Sequence, residues 1–154
     1  MRIANENGAE GAQDTLTIPV IVNEKMEYGI YSYKRMTPYE EAKSTLATYQ
    51  ASYDAAEEEL KKATIQSRMD DCSIQMYDIS DSCLNEIWNL VKYNTSEEKF
   101  NEILTEQRKW IADKEAAGNE ILDQNDGSSA QMDSSLKMAE LTMERCEELA
   151  DYLK

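Results

Sequence analysis

The sequence predicts an all-α protein, an antiparallel bundle of three to four helices that follows an extended N-terminal arm. Apolar residues recur with spacings of three and four residues over most of the segment 38–153, which is the pattern of an amphipathic helix. The 154 residues include only two prolines and five glycines, so long helices are not interrupted. A hydrophobic content of 41% in a chain of this length is typical of one domain with a single core.

The N-terminal part of the chain lacks helical periodicity. Residues 1–14 are polar and rich in glycine and alanine, and we expect a disordered tail or spacer. Residues 15–37 are rich in β-branched residues and tyrosine and predict an extended arm, in which Pro19 excludes a central strand. We favour an arm that packs its tyrosines on the helices. The alternative is a hairpin that turns near Asn23, which as an isolated ribbon would be only marginally stable.

The bundle domain, 38–154, begins with a strong helix start. Thr37 and Glu40 have the spacing of a capping box, and Pro38 suits the first helical position. The helical pattern then runs to residue 93, but its apolar stripe changes phase between residues 61 and 68. Two interpretations remain open, since no glycine or proline lies there. Either one long helix, 38–93, turns its apolar face to a new partner, or the helix is kinked or broken in this stretch.

Two further helices follow. The turn at 93–96 offers Thr95 and Glu98 as a second capping box, and a helix over 96–122 comes after it. A loop rich in glycine and serine separates this segment from a last helix over about 129–153. Short loops make consecutive helices antiparallel neighbours.

Polar residues interrupt the apolar stripes at one level of the predicted bundle. Counting the helical rise of about 1.5 Å per residue from the turn brings residues of three helices to the same height. This polar layer consists of Asp81, Asn85, Gln107, Arg108, Thr142 and Arg145. We favour a buried network in which Asp81 pairs with Arg108 or Arg145 and fixes the helix register. The alternative is a binding groove whose arginines face an acidic group. Trp88 and Trp110 are expected to be core aromatics beside the layer.

The same count places Cys83 and Cys146 at one height on parallel helices. We expect the two to be neighbours, joined by a disulfide in an oxidising compartment. The alternative is a pair of small buried thiols. Cys72, the third cysteine, lies too far along the bundle to join either.

Composition excludes several classes of function. The net charge of −15 disfavours nucleic acids and anionic membrane surfaces and favours a basic partner. Histidine is absent and the cysteines lack zinc-ligand spacing, so we expect neither metal nor cofactor. Carboxylate runs such as Glu57–Glu59 have no base or electrophile near them in the sequence, and we expect a protein without enzymatic activity. No apolar run is long enough to span a membrane.

Five short motifs follow one another over residues 64–153: Ile65–Cys72, Asp81–Trp88, Gln107–Ile111, Gly127–Ser128 and Thr142–Arg145 with Leu149. In this order and at these spacings they resemble the LprI-like lysozyme-inhibitor family of bacteria. The sequence departs from the family pattern at Lys114, which replaces an arginine. Two cysteines that commonly bridge the last two helices in this family are replaced, in our comparison, by Gly118 and Lys137.

The resemblance implies an exported, often lipid-anchored bacterial protein that acts by contact with a partner, such as a basic lysozyme. We therefore expect an extracellular or cell-surface location, with the leader and any lipid-anchor site upstream of this chain. The alternative is a structural or adaptor domain of the cell envelope. In that case residues 38–93 would form a rod that pairs with itself or with another protein through Tyr49, Tyr53 and Leu60.

Overall fold

The computed structural model describes the backbone of residues 13–22 and 25–34, and both backbone and side chains of residues 35–154. Strand β1 (Gln13–Val22) pairs antiparallel with strand β2 (Lys25–Lys34). Of the two arrangements considered for the extended segments, the structure thus shows the hairpin. Pro19 lies opposite Tyr28, and a ribbon of two strands tolerates it because both strands are edges. The predicted spacer 1–14 lies outside the described residues, apart from its last two, which belong to β1.

Helix α1 (Pro38–Lys62) starts where the sequence predicts. The Glu40 amide donates to Thr37 Oγ1 at 3.1 Å, and the Thr37 amide donates to Glu40 Oε2 at 2.9 Å. This capping box satisfies two backbone donors that a helix start otherwise leaves without partners.

The helical segment 38–93 is broken between residues 61 and 68, which was one of the two interpretations of the change of phase in its apolar stripe. Ala63 and Ile65 have extended backbone angles, and helix α2 (Gln66–Asn94) begins after them. Tyr49 contacts Glu86, and Glu59 lies 3.8 Å from Arg68, so α1 folds back antiparallel along α2. The break allows each helix to turn its own stripe to the core.

Helices α3 (Glu97–Gln124) and α4 (Ala130–Asp151) complete a bundle of four helices, which confirms the predicted fold class. The predicted capping box of Thr95 and Glu98 is wrong. Ser96 caps α3, and its hydroxyl accepts from the Lys99 amide at 3.2 Å. Thr95 instead is the C-terminal cap of α2, with an extended backbone, and its hydroxyl donates to the Val91 carbonyl at 2.8 Å.

Helix α4 is the centre of the bundle, since it packs against α1, α2 and α3. The main core cluster contains fully buried side chains from all four helices, among them Ala42, Ile87, Ile103 and Leu149. By contrast α2 and α3 have no extensive backbone contact with each other, which leaves a groove between them.

The residues that the alternative prediction assigned to pairing between rods pack inside the bundle instead. Tyr49, Tyr53 and Leu60 are half-buried and pack against the core clusters beneath α1. A rod over 38–93 is therefore replaced by a helical hairpin. Among the described helices, none is long and apolar enough to cross a lipid bilayer.

Candidate functional site: two grooves beside helix α2

The buried part of the polar layer joins α3 to α4. Arg145 is 7% exposed and donates from Nε to Gln107 Oε1 at 2.8 Å and from Nη1 to Glu148 Oε2 at 2.7 Å. Thr142 is also buried, and its hydroxyl donates to the Met138 carbonyl within its own helix. The link between helices is thus an arginine–amide contact.

Asp81, Asn85 and Arg108 are exposed, and the structure does not bring them into that contact. Asn85 Nδ2 donates to Asp81 Oδ2 at 3.4 Å. Within residues 35–154, Asp81 forms no ion pair with Arg108 or Arg145, so the predicted pairing is wrong. Height along the bundle is similar for these residues, but position around each helix differs and directs Asp81 to solvent. Glu148, which sequence reasoning missed, stands three residues after Arg145, the spacing of helical ion pairs.

The groove between α2 and α3, which we call the aromatic groove, has a volume of about 450 Å³. Its lining residues are Asp81, Leu84, Asn85, Trp88, Leu104, Gln107, Arg108, Trp110, Ile111 and Lys114. Trp88 and Trp110 are half-buried rather than enclosed in the core, and Trp88 packs on Phe100 with ring centroids 5.1 Å apart. The exposed remainder of each indole therefore forms a wall of the groove.

Lys114 is the unusual residue of the aromatic groove, because it is 8% exposed. Its Nζ lies 5.1 Å from the ring centroid of Trp110 and 5.6 Å from that of Tyr77. Among residues 35–154 it forms no ion pair or side-chain hydrogen bond. In the sequence this residue stood out only as a replacement for an arginine in a family pattern.

A second groove, the acidic groove, lies on the other side of α2, against α1. It has a volume of about 370 Å³ and is lined by Tyr49, Asp71, Ile74, Gln75, Asp78, Ile79 and Ser82. Asp71 and Asp78 are exposed, and no cation of the described side chains pairs with either. Ile74, between them, is 55% exposed. The hydrogen bond that Tyr49 donates to Glu86, at 2.5 Å, raises the pKa of Tyr49 to about 12.

Cys83 and Cys146 are fully buried neighbours in the core between α2 and α4, and both are thiols in this structure. A hydrogen bond with Cys83, together with burial, raises the pKa of the Cys146 thiol. Cys72 is buried as well, about three helical turns from Cys83 towards the start of α2. Within the part of the chain that the structure describes, no cluster of three or more acidic or cysteine side chains is arranged to hold a metal ion.

The family described as "Lysozyme inhibitor LprI" matches residues 61–149, more than half of the chain. The chain belongs to the LprI lysozyme-inhibitor family. The match spans all of α2 and α3 and most of α4, and so includes the aromatic groove and the α2 side of the acidic groove. Searches of curated proteins and of solved structures returned no match.

The structure also shows which residues of α4 lie opposite Gly118 of α3. A Cβ atom on Gly118 would lie 2.9 Å from Met138 Sδ and 3.0 Å from Ser134 Oγ. Ser134 donates its hydroxyl to the Gly118 carbonyl at 3.0 Å. Lys137 is exposed and pairs with Glu140 instead. Gly118 of α3 therefore lies opposite Ser134 and Met138 of α4.

Proposed function

We propose that this LprI family member is a non-catalytic binding protein that inhibits a basic lysozyme by protein–protein contact. The observation that carries the proposal is the family match over residues 61–149. The net charge of −15 supports it, because charge complementarity accelerates encounter with a basic partner. The same family membership supports an extracellular or cell-surface location, since a lysozyme would be met there.

The acidic groove is the surface that best suits such a partner. Asp71 and Asp78 stand seven residues apart, on one face of α2 and about 10 Å apart along its axis. Neither carboxylate is paired with a cation among the described residues, so both are available to lysine or arginine side chains. Ile74 lies between them with 55% of its surface exposed. An apolar residue flanked by carboxylates is an arrangement in which the apolar contact supplies affinity and the charges supply orientation.

Inhibition assays with a basic lysozyme test the function. Muramidase activity would be titrated with the protein at low and at moderate salt, and we expect inhibition that weakens as salt rises. Absence of inhibition at a several-fold molar excess in both conditions would refute the proposal for that lysozyme type.

Matched charge variants test the surface. Asp71→Asn with Asp78→Asn should weaken inhibition by about tenfold or more, the effect of losing about 1.4 kcal/mol at the interface. The control pair, Asp113→Asn with Asp123→Asn, makes the same change of net charge at exposed positions of α3. We expect the control to have a much smaller effect, through long-range attraction alone. Equal losses in the two variants would mean that only net charge acts and that the acidic groove is not the contact surface.

A further inference from the structure

We propose that the aromatic groove binds a carboxylate carried on an apolar group, with Lys114 as the residue that recognises the carboxylate. The site shares no lining residue with the acidic groove, and the proposal does not depend on the contact with lysozyme. The chemistry is opposite as well, since the acidic groove offers carboxylates and the aromatic groove offers an ammonium group.

The Lys114 side chain is 8% exposed, but its ammonium group is not among the buried polar atoms without a partner, so Nζ opens on the groove. It has three N–H donors, and within residues 35–154 no carboxylate or other side-chain acceptor bonds to them. The rings of Trp110 and Tyr77 offer cation–π contacts, with centroids 5.1 and 5.6 Å from Nζ. Such contacts leave the N–H donors free to bond to water or to a ligand in the groove. An anionic acceptor in the groove would satisfy both the charge and the donors.

The charge of the groove is opposite in sign to that of the whole chain. Its lining contains Lys114 and Arg108 as cations and Asp81 as the one acidic residue, whereas the chain as a whole has a net charge of −15. Asp81 is exposed, while Lys114 is 8% exposed, so the cation lies deeper. A bound carboxylate would meet Lys114 at short range, where protein screens less than water does.

The walls of the groove fit the apolar part of such a ligand. Leu84, Leu104, Ile111 and the two tryptophans line it. A volume of about 450 Å³ lies within the usual range of small-molecule sites. Gln107, which also lines the groove, is fixed by the hydrogen bond from Arg145 Nε. The polar side of the groove is thus held in place by a neighbouring helix.

Two sources could supply this ligand chemistry, a small free acid or the C-terminal carboxylate of a peptide with an apolar last residue. Octanoate represents the first, with octanamide as its neutral control. Acetyl-Ala-Leu-Phe with a free C-terminus represents the second, with its C-terminal amide as control. Each acid and its amide have nearly the same shape and differ in charge.

Tryptophan fluorescence of the full chain reports on this site, because both tryptophans of the protein line the groove. We expect a saturable change with at least one of the two acids, and at least about tenfold weaker binding of the matching amide, as for loss of one charge-assisted hydrogen bond. The acid that binds identifies the source. No saturable change with either acid up to about 10 mM, the range of very weak binding, or equal binding of acid and amide, would overturn the proposal.

Variants of two lysines on the same helix complete the test. Lys114→Met keeps the length and apolar stem of the side chain and should weaken binding of the acid about tenfold, while Lys114→Arg should retain it. Lys109→Met is the matched control at an exposed position of α3 and should bind as the parent does. Circular dichroism confirms that each variant is folded. If Lys114→Met binds the acid as well as Lys109→Met does, Lys114 is not the recognition group and the proposal fails.

Discussion

A disulfide between α3 and α4 is expected to form when Gly118→Cys is combined with Ser134→Cys. In a disulfide, the Cβ of one cysteine lies about 3 Å from the Sγ of the other. A Cβ on Gly118 would lie 3.0 Å from Ser134 Oγ, the position that a cysteine sulfur at 134 would approach. Lys137, three residues further along α4, is exposed and paired with Glu140, and its atoms are not among the three nearest to a Cβ on Gly118.

The stabilisation follows from the size of the closed loop. The two positions are 16 residues apart, and a crosslink over such a loop lowers the entropy of the unfolded chain by an amount worth about 3 kcal/mol at 25 °C. For a chain of this length, that corresponds to a rise in melting temperature of roughly 6–12 °C. Met138 must shift to admit the new Cβ, and the Ser134 hydrogen bond is lost. Both costs are shared by the oxidised and reduced forms of the variant.

The assay therefore compares one variant with itself, with and without reductant, by thermal unfolding followed by circular dichroism. Peptide mass mapping without reduction identifies the bridge. The control, Gly118→Cys with Lys137→Cys, should remain as two thiols. A bridge that forms in the control and not in the 118–134 variant would show that the packing of α3 on α4 is displaced by about a turn and that the reasoning is wrong.

Three further predictions concern the core and the hydrogen bonds around it. Asp81→Ala should change the free energy of unfolding by at most about 0.5 kcal/mol, because Asp81 is exposed. Arg145→Ala should lower it by about 2 kcal/mol or more, because the change leaves buried polar groups without partners. Chemical denaturation measures both effects. We also propose that Cys83 and Cys146 form a disulfide under oxidising conditions. Alkylation of unfolded, unreduced protein should then modify one cysteine, and modification of all three would exclude the bridge. Finally, Tyr49→Phe should remove a component near pH 12 from the absorbance titration of tyrosine, since the hydrogen bond to a carboxylate raises this pKa above its ordinary value of 10.0. The stability that this bond contributes is complete below about pH 10 and is lost as pH rises through about 12.

Local signals predicted the helical elements well because their causes are local. The capping box of Thr37 and Glu40 depends on residues three apart, and the structure contains both of its hydrogen bonds. The break between α1 and α2 has no such signal, since neither glycine nor proline lies there. Only the change of phase in the apolar stripe indicated this break. Such a change shows that a different face of the segment is buried, but a bend, a kink and a break would all produce it.

The candidate site was less predictable. Height along the bundle brought Gln107 and Arg145 to one level, and they are hydrogen-bonded, but the same count also included Asp81, which faces solvent. The height of a residue is determined by the rise per residue. Whether its side chain points to the core or to solvent depends on the angle at which the helix is rotated about its axis. That angle is set by contacts between helices and is not encoded in residue number alone.

The sequence by itself determined that the chain is a helical bundle and that it belongs to the LprI family over residues 61–149. Periodicity, caps and ordered motifs are properties of neighbouring residues, and they can be read without a fold. Only the tertiary structure decided that α4 occupies the centre and that α2 and α3, despite the contact of Trp88 with Phe100, lack extensive backbone contact. This separation opens the aromatic groove and leaves Lys114 buried against Trp110 and Tyr77, because a small bundle cannot bring every pair of helices into contact. A lysine that seemed a minor departure in the sequence thus becomes the most distinctive polar group of the groove.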